Sequence, residues 1–369
     1  MKIPYVNLAA QHAPIKAEIL KAIEGVLDGG QFILGDVVAE FEAAFAKLVG
    51  TKHAIAVNSG TDALILALRA LKIGPGDEVI TAPNSFVASA SSIALVGARP
   101  VFVDVRPDMN IDATKLEAAI TRRTRAIMPV HLTGHACDME PILEVASHHK
   151  LSIVEDAAQA ILAEYRGKRV GSFGNMGCFS LHPLKTLNAI GDGGVVTTND
   201  DELATHVKLT RNLGLKTREQ CVDWSSNSRL DSIQAAVLLV KLKYVEEWTV
   251  RRIANAQLYR KLLAGVTEVS MPQDRRDERN VYHTFVVQVP LREKLRAHLD
   301  MNGIGTSIHY PIPIHLQDVA KELGYKRGDF PVAEKQAERI LSLPVYPELR
   351  TEDIEAVARA IAQFYERSI

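Results

Sequence analysis

Short apolar runs alternate with helical periodicity through the first half of the chain, and this alternation restricts the fold more than any other feature. Residues 54–57, 78–81, 101–105, 126–130 and 151–154 read as buried strands, with helical segments at 62–71, 87–96, 113–119 and 140–149 between them. Strands separated by helices of this length make crossovers, which build a largely parallel sheet with helices on both faces. Ligands of such sheets bind beyond the carboxyl ends of the strands. Ser59-Gly60-Thr61, Asn84-Ser85-Phe86, His131 and Asp156 all follow strands, so they are expected along one edge. Two amphipathic helices, 14–28 and 37–48, precede the sheet and are separated by a loop with three glycines. Beyond it lie a helix at 201–211, a polar excursion from 212 to 231, and a helix at 232–248 that continues to 263. The pattern then changes to a strand at 282–289, a helix at 291–301, a strand at 306–310 and a helix at 351–365. At 369 residues the chain has room for two cores. The division expected is a large α/β domain over 1–250 and a smaller α+β domain over 251–369.

The stretch from Cys178 to Gly194 carries the chemistry. A strand at 177–181 ends in a polar loop, presents Lys185, and passes through Gly191-Asp192-Gly193-Gly194 into a second apolar run at 195–198. The strand at 151–154 delivers Glu155-Asp156-Ala157-Ala158-Gln159 at its carboxyl end. An amine and a carboxylate across one pocket suit an aldehyde cofactor with a pyridine ring: the lysine forms a Schiff base, and the carboxylate keeps the ring nitrogen protonated. Pyridoxal phosphate needs both. Taken singly, Lys185 reads as a surface lysine and Asp156 as a helix cap. The loop Asn58-Ser59-Gly60-Thr61, between strand and helix, points free N–H groups at an anion such as a phosphate; the competing reading is an ordinary N-cap by Ser59 or Thr61. Phe86 reads either as a ring that lies on an aromatic ligand or as core.

Composition narrows the partners. With 43 basic and 44 acidic residues the net charge is -1, which gives no electrostatic reason for nucleic acid or a membrane surface as partner. Cys137, Cys178 and Cys221 have no metal-binding spacing, and the first eight residues lack a signal-peptide core. A cytoplasmic protein acting on a small molecule is expected.

Asn58-Ser59-Gly60-Thr61-Asp62-Ala63-Leu64, Val154-Glu155-Asp156-Ala157-Ala158-Gln159, Ser180-Leu181-His182-Pro183-Leu184-Lys185, Gly191-Asp192-Gly193-Gly194, Asn227-Ser228-Arg229-Leu230-Asp231 and Leu343-Pro344-Val345-Tyr346-Pro347 occur in this order. Together they resemble the DegT/DnrJ/EryC1/StrS family, the pyridoxal-phosphate-dependent nucleotide-sugar aminotransferases of the aspartate aminotransferase (type I) fold. The resemblance implies a homodimer with shared active sites. It makes Lys185 the Schiff-base lysine, Asp156 the partner of the pyridine nitrogen, Gln159 the contact to the cofactor's phenolic oxygen and Phe86 the stacking ring. It places the phosphate on Gly60, Thr61, Asp62 and Ser180, with Asn227 reaching over from the second subunit. Arg229, His309 and Tyr310 match positions facing the sugar nucleotide, and His182 is expected only to shape its loop. The implied reaction moves an amino group from L-glutamate to a nucleotide-linked keto-deoxy-sugar, and Asp192 favours a 3-keto over a 4-keto acceptor. Members with histidine in place of the lysine are dehydratases; here the lysine is present. A cysteine desulfurase needs a mobile nucleophilic cysteine, and none follows Cys221. A non-catalytic sugar-binding or regulatory protein has no use for an imine lysine.

Overall fold

The computed structural model describes residues 2–366. Its centre is a seven-stranded sheet formed by β1 (His53–Val57), β2 (Glu78–Thr81), β3 (Arg99–Phe102), β4 (Thr124–Ile127), β5 (Ser152–Asp156), β6 (Met176–Ser180) and β7 (Gly194–Thr198), in the order β1-β7-β6-β5-β4-β2-β3. Pairing is parallel from β6 through β3. Only β7 runs against its neighbours, β1 and β6. It can do so because β7 returns directly from β6 through the Lys185 loop, with no crossover helix between them.

Alternate residues of each strand feed opposite faces. Ala56, Ile80, Ile127, Ile153 and Val195 join one core with Phe41, Phe45 and Phe179. Val57, Val79, Ala126, Val154 and Val196 join another, against Leu64 and Leu68 of the helix Gly60–Ala70. The central strands are therefore covered on both sides, as their unbroken apolar runs predict.

A further core lies around Tyr259, Phe285, Leu299, Leu341 and Ile361. It is built on β8 (Phe285–Gln288) paired antiparallel with β9 (Ile340–Leu343) and on the helices Val245–Leu263, Arg292–Met301 and Thr351–Glu366. Ile3 belongs to it, tied by its N–H to the Gly303 carbonyl at 2.8 Å. The boundary expected at residue 250 falls inside the helix Val245–Leu263.

Several expected bounds change for identifiable reasons. β3 and β4 start two residues earlier than the apolar runs suggest, because both are registered on the first residue of β2: Glu78 faces Arg99 and Thr124. Pro100 is tolerated because β3 is an edge strand. The expected strand at 306–310 does not form. Only Ser307 bridges to Ser342, and Pro311 and Pro313 follow at once. The helix expected from 232 is two helices, Ser232–Leu242 and Val245–Leu263. The helix Pro331–Arg339 and β9 were not anticipated, although a proline in a first helical turn is a start signal. The polar excursion is ordered as a hairpin, Leu215–Thr217 with Gln220–Cys221.

Candidate active site

Asp156 ends β5 and is 5% exposed. Its N–H donates to the Pro129 carbonyl at 2.9 Å, and its own carbonyl accepts from His131 N–H at 3.0 Å. Its carboxylate accepts from Ser89 Oγ at 2.7 Å and from the Ala158 N–H at 3.2 Å. Lys185 approaches from the β6–β7 loop. That loop is pinned at Leu181, whose N–H donates to the Gly193 carbonyl at 2.8 Å and whose carbonyl accepts from Ala189 N–H at 2.8 Å. Asn188 Nδ2 donates to the Lys185 carbonyl at 2.9 Å, and the buried Lys241 donates to the Asn188 carbonyl at 2.9 Å. Burial pushes the Lys185 amine down to about 8, against the opposing pull of the Asp156 charge. An amine so placed is deprotonated about a tenth of the time at pH 7, far more often than an ordinary lysine.

A helix N-terminus stands beside the pair. Ser59 caps the helix Gly60–Ala70, its Oγ accepting the Asp62 N–H at 3.1 Å. The first-turn N–H groups of Gly60 and Thr61 have no helical carbonyl to reach. The N-cap reading holds at Ser59, and the cap leaves the N–H groups of Gly60 and Thr61 uncommitted. The backbones here approach closely: a Cβ on Gly60 would lie 2.6 Å from Ser180 Cβ, and one on Gly194 would lie 2.2 Å from the Ser59 carbonyl oxygen. Ser180 Oγ accepts the His182 N–H at 3.3 Å, and Asp62 is held by the Ser228 hydroxyl.

Gln159 and Tyr310 meet at the same edge, Gln159 Nε2 donating to Tyr310 OH at 3.2 Å while its Oε1 accepts from Thr133 N–H at 2.8 Å. The half-exposed Phe86 ring lies 5.6 Å from that of Tyr310. His309 bonds Ser342 Oγ through Nδ1 at 2.8 Å; burial, then the Lys185 charge, takes its pKa down to about 4. His182 is exposed and its Nδ1 accepts the Leu184 N–H, which is the loop-shaping part expected of it. Asn227 and Arg229 flank Ser228, which holds Asp62 and whose carbonyl accepts the Asn58 N–H at 3.0 Å. Arg229 bonds Asn212 Oδ1 at 2.8 Å beside Val57, and Asn227 is exposed on the segment after the hairpin. Ser89, which holds Asp156, escaped the sequence reading; a serine-rich helix just beyond β2 was its only signal.

These residues fit pyridoxal phosphate. The set includes a buried carboxylate braced for a ring nitrogen, an amine of low pKa opposite it, and a glycine-tight helix start with two free N–H groups for a phosphate. Residues 13–362 match the model of the DegT/DnrJ/EryC1/StrS aminotransferase family. The chain belongs to that family. Members share the α/β architecture described above. A transaminase of Streptomyces venezuelae, named for dTDP-3-amino-3,4,6-trideoxy-alpha-D-glucose, is 43% identical over 99% of this chain and 97% of its own. A protein of Geobacillus stearothermophilus named as a pleiotropic regulatory protein is 44% identical over 99% of both chains. The crystal structure of S. venezuelae DesV with a ketimine intermediate superposes with a TM-score of 0.97, at 43% identity and 99% coverage of both chains. That of NtdA from Bacillus subtilis, with its cofactor PMP bound, gives 0.92 at 30% identity over 99% of this chain and 85% of the other. Among the described residues no helix is long and apolar enough to cross a membrane, and no cluster of metal-ligating side chains occurs.

Proposed function

We propose that this family member is a pyridoxal-phosphate-dependent aminotransferase that moves an amino group from L-glutamate to carbon 3 of a nucleotide-linked 3-keto-deoxy-sugar. The observation that carries the reading is the pairing of Lys185, with an amine pKa of about 8, with the Ser89-braced Asp156 at the carboxyl edge of the sheet. Pyridoxal phosphate supplies the aldehyde and the electron-accepting ring. Lys185 would hold it and, once freed as an amine, would move the proton at the donor's α-carbon. Asp156 would stand beside the ring nitrogen, with Ser89 and the Ala158 N–H fixing its direction. Gly60, Thr61, Asp62 and Ser180 hold the phosphate, Gln159 contacts the phenolic oxygen, and Phe86 covers the ring. Arg229, His309 and Tyr310 face the sugar nucleotide. Support for carbon 3 comes from Asp192 in the loop after the lysine and from the name of the S. venezuelae transaminase.

The name of the G. stearothermophilus relative makes a regulatory role the second reading. One experiment separates the two. Purified protein with added cofactor is reduced with borohydride and mapped, then unreduced protein is exposed to L-glutamate and to a panel of 3-keto and 4-keto nucleotide sugars. The label is expected on Lys185, with a visible band that glutamate bleaches and 3-keto sugars restore. Absence of label on Lys185 in cofactor-saturated protein removes the aminotransferase reading; restoration by 4-keto sugars alone moves the reaction to carbon 4.

A further inference from the structure

Within reach of the Lys185 charge, a small, partly open cavity of about 40 Å³ is lined by Tyr5, Arg252, His283, Thr284, His309 and Tyr346, with Leu184 in the wall. We propose that this cavity is the seat for a carboxylate of the amino donor, which rests on the aminotransferase reading above.

Three of the lining residues carry buried polar atoms with no hydrogen-bond partner: Arg252 Nε, His283 Nδ1 and Thr284 Oγ1. Buried polar atoms are nearly always paired, so several orphans around one cavity mark a place where a polar group belongs. Arg252 decides its charge. Arg252 is 6% exposed, and its Nη1 donates to the His283 carbonyl at 3.2 Å. Among the described residues no carboxylate lies within the 4.0 Å ion-pair distance of it. The other buried arginine among the described residues, Arg211, is paired with Glu42. Glu348 is the one carboxylate whose charge Arg252 feels, and burial raises the pKa of that group, which weakens it as a counter-ion. A buried cation without a partner is costly, and an incoming anion relieves that cost.

Size and neighbours identify the anion. A space of about 40 Å³ takes a carboxylate-sized group or one or two waters, and it excludes a sugar or a diphosphate. Burial holds the His283 and His309 rings neutral near pH 7, each aided by the Lys185 charge, so the anion meets Arg252, a hydroxyl and uncharged imidazoles. Leu184 in the wall puts the seat one residue from Lys185, the amine that the donor displaces.

The probe is glutarate, a dicarboxylate that cannot transaminate. Its binding to the cofactor-loaded protein is measured by calorimetry beside the KM values for L-glutamate and for the sugar acceptor. Arg252→Gln is expected to weaken glutarate about thirtyfold and to raise the glutamate KM in proportion, while the acceptor KM moves less than threefold. Arg252→Lys recovers part of the loss. Thr284→Val, nearly isosteric, gives a smaller loss of the same pattern and carries the test if Arg252→Gln does not fold. Unchanged glutarate binding in the folded variants overturns the proposal, as does an equal rise in both KM values or a glutarate complex with only water in the cavity. Glutarate binding needs no turnover. Arg252-dependent binding in a protein that transaminates nothing would retain the carboxylate seat and discard the aminotransferase reading, whereas turnover with an Arg252-independent glutamate KM would do the reverse.

Discussion

At the scale of single residues, Lys185 is tuned by two opposing effects. Burial disfavours its charged form and the Asp156 carboxylate favours it; burial wins, and the pKa falls from the ordinary 10.5 to about 8. In the apoprotein the rate of cofactor capture is therefore expected to rise about tenfold per pH unit below 8 and to flatten above it. A plateau reached only near 10.5, followed in stopped-flow absorbance, would show that the amine is not desolvated. Linkage gives a second readout with a definite sign. Below pH 8 the lysine is charged in both states and the full penalty of its burial is present. Between 8 and 10.5 the unfolded chain holds a proton that the native protein has released, so stability rises with pH across that window and levels off above it. Lys241, also taken to about 8 by burial, adds a slope of the same sign. Lys185→Met isolates the share of Lys185, since it should remove only part of the rise in urea midpoint.

At the scale of elements, the site depends on how closely β7 and the helix Gly60–Ala70 approach. A Cβ on Gly194 would meet the Ser59 carbonyl oxygen at 2.2 Å and the Gly60 nitrogen at 2.8 Å, all of it backbone that cannot rotate away. Gly194→Ala is expected to push the helix start outward, lower stability by roughly 1–3 kcal/mol and weaken cofactor binding at least about tenfold. Wild-type cofactor affinity in a folded Gly194→Ala protein would mean that the helix start does not hold the phosphate. The elements around this contact were legible because each carries its own local signal: the period of β1, the cap at Ser59, the glycines after Lys185. The direction of β7 was not, since an apolar run reads the same in a parallel or an antiparallel strand. The segment 306–310 failed for the opposite reason. Its alternating pattern suggests a strand, but the prolines at 311 and 313 and the pairing of β9 with β8 leave it one bridge, at Ser307. The same segment still delivers His309 and Tyr310 to the pocket.

At the scale of the whole molecule, the Lys185–Asp156 pair was readable because Asp156 ends one strand and Lys185 lies in the loop after its neighbour, at the edge that the topology predicts. The Arg252 cavity was not readable. Its walls come from positions 5, 252, 283, 309 and 346, and none of these sits in a local pattern that names the others. The same distance problem applies to Asn227 and Arg229, the first exposed and the second partly buried against Asn212. The segment that carries them exposes Trp224 at 90% and Val222 at 50%, while the helix Lys16–Gly29 exposes Leu20 and Leu27 and the loop after it Phe32 and Ile33. Large apolar side chains displayed on a hairpin arm and a helical face fit a second copy of the chain packed against them. In that arrangement Asn227 is the residue that crosses to the neighbour's phosphate site. Mixing Lys185→Ala with Asn227→Asp protein, each inactive alone, then yields heterodimers in which one site keeps both the lysine and the asparagine. With equal mixing, half the dimers are heterodimers with one working site in two, so activity should return to about a quarter of wild type. Subunit exchange is checked independently by mass. Complete exchange without recovery would place Asn227 in the same site as the Lys185 of its own chain.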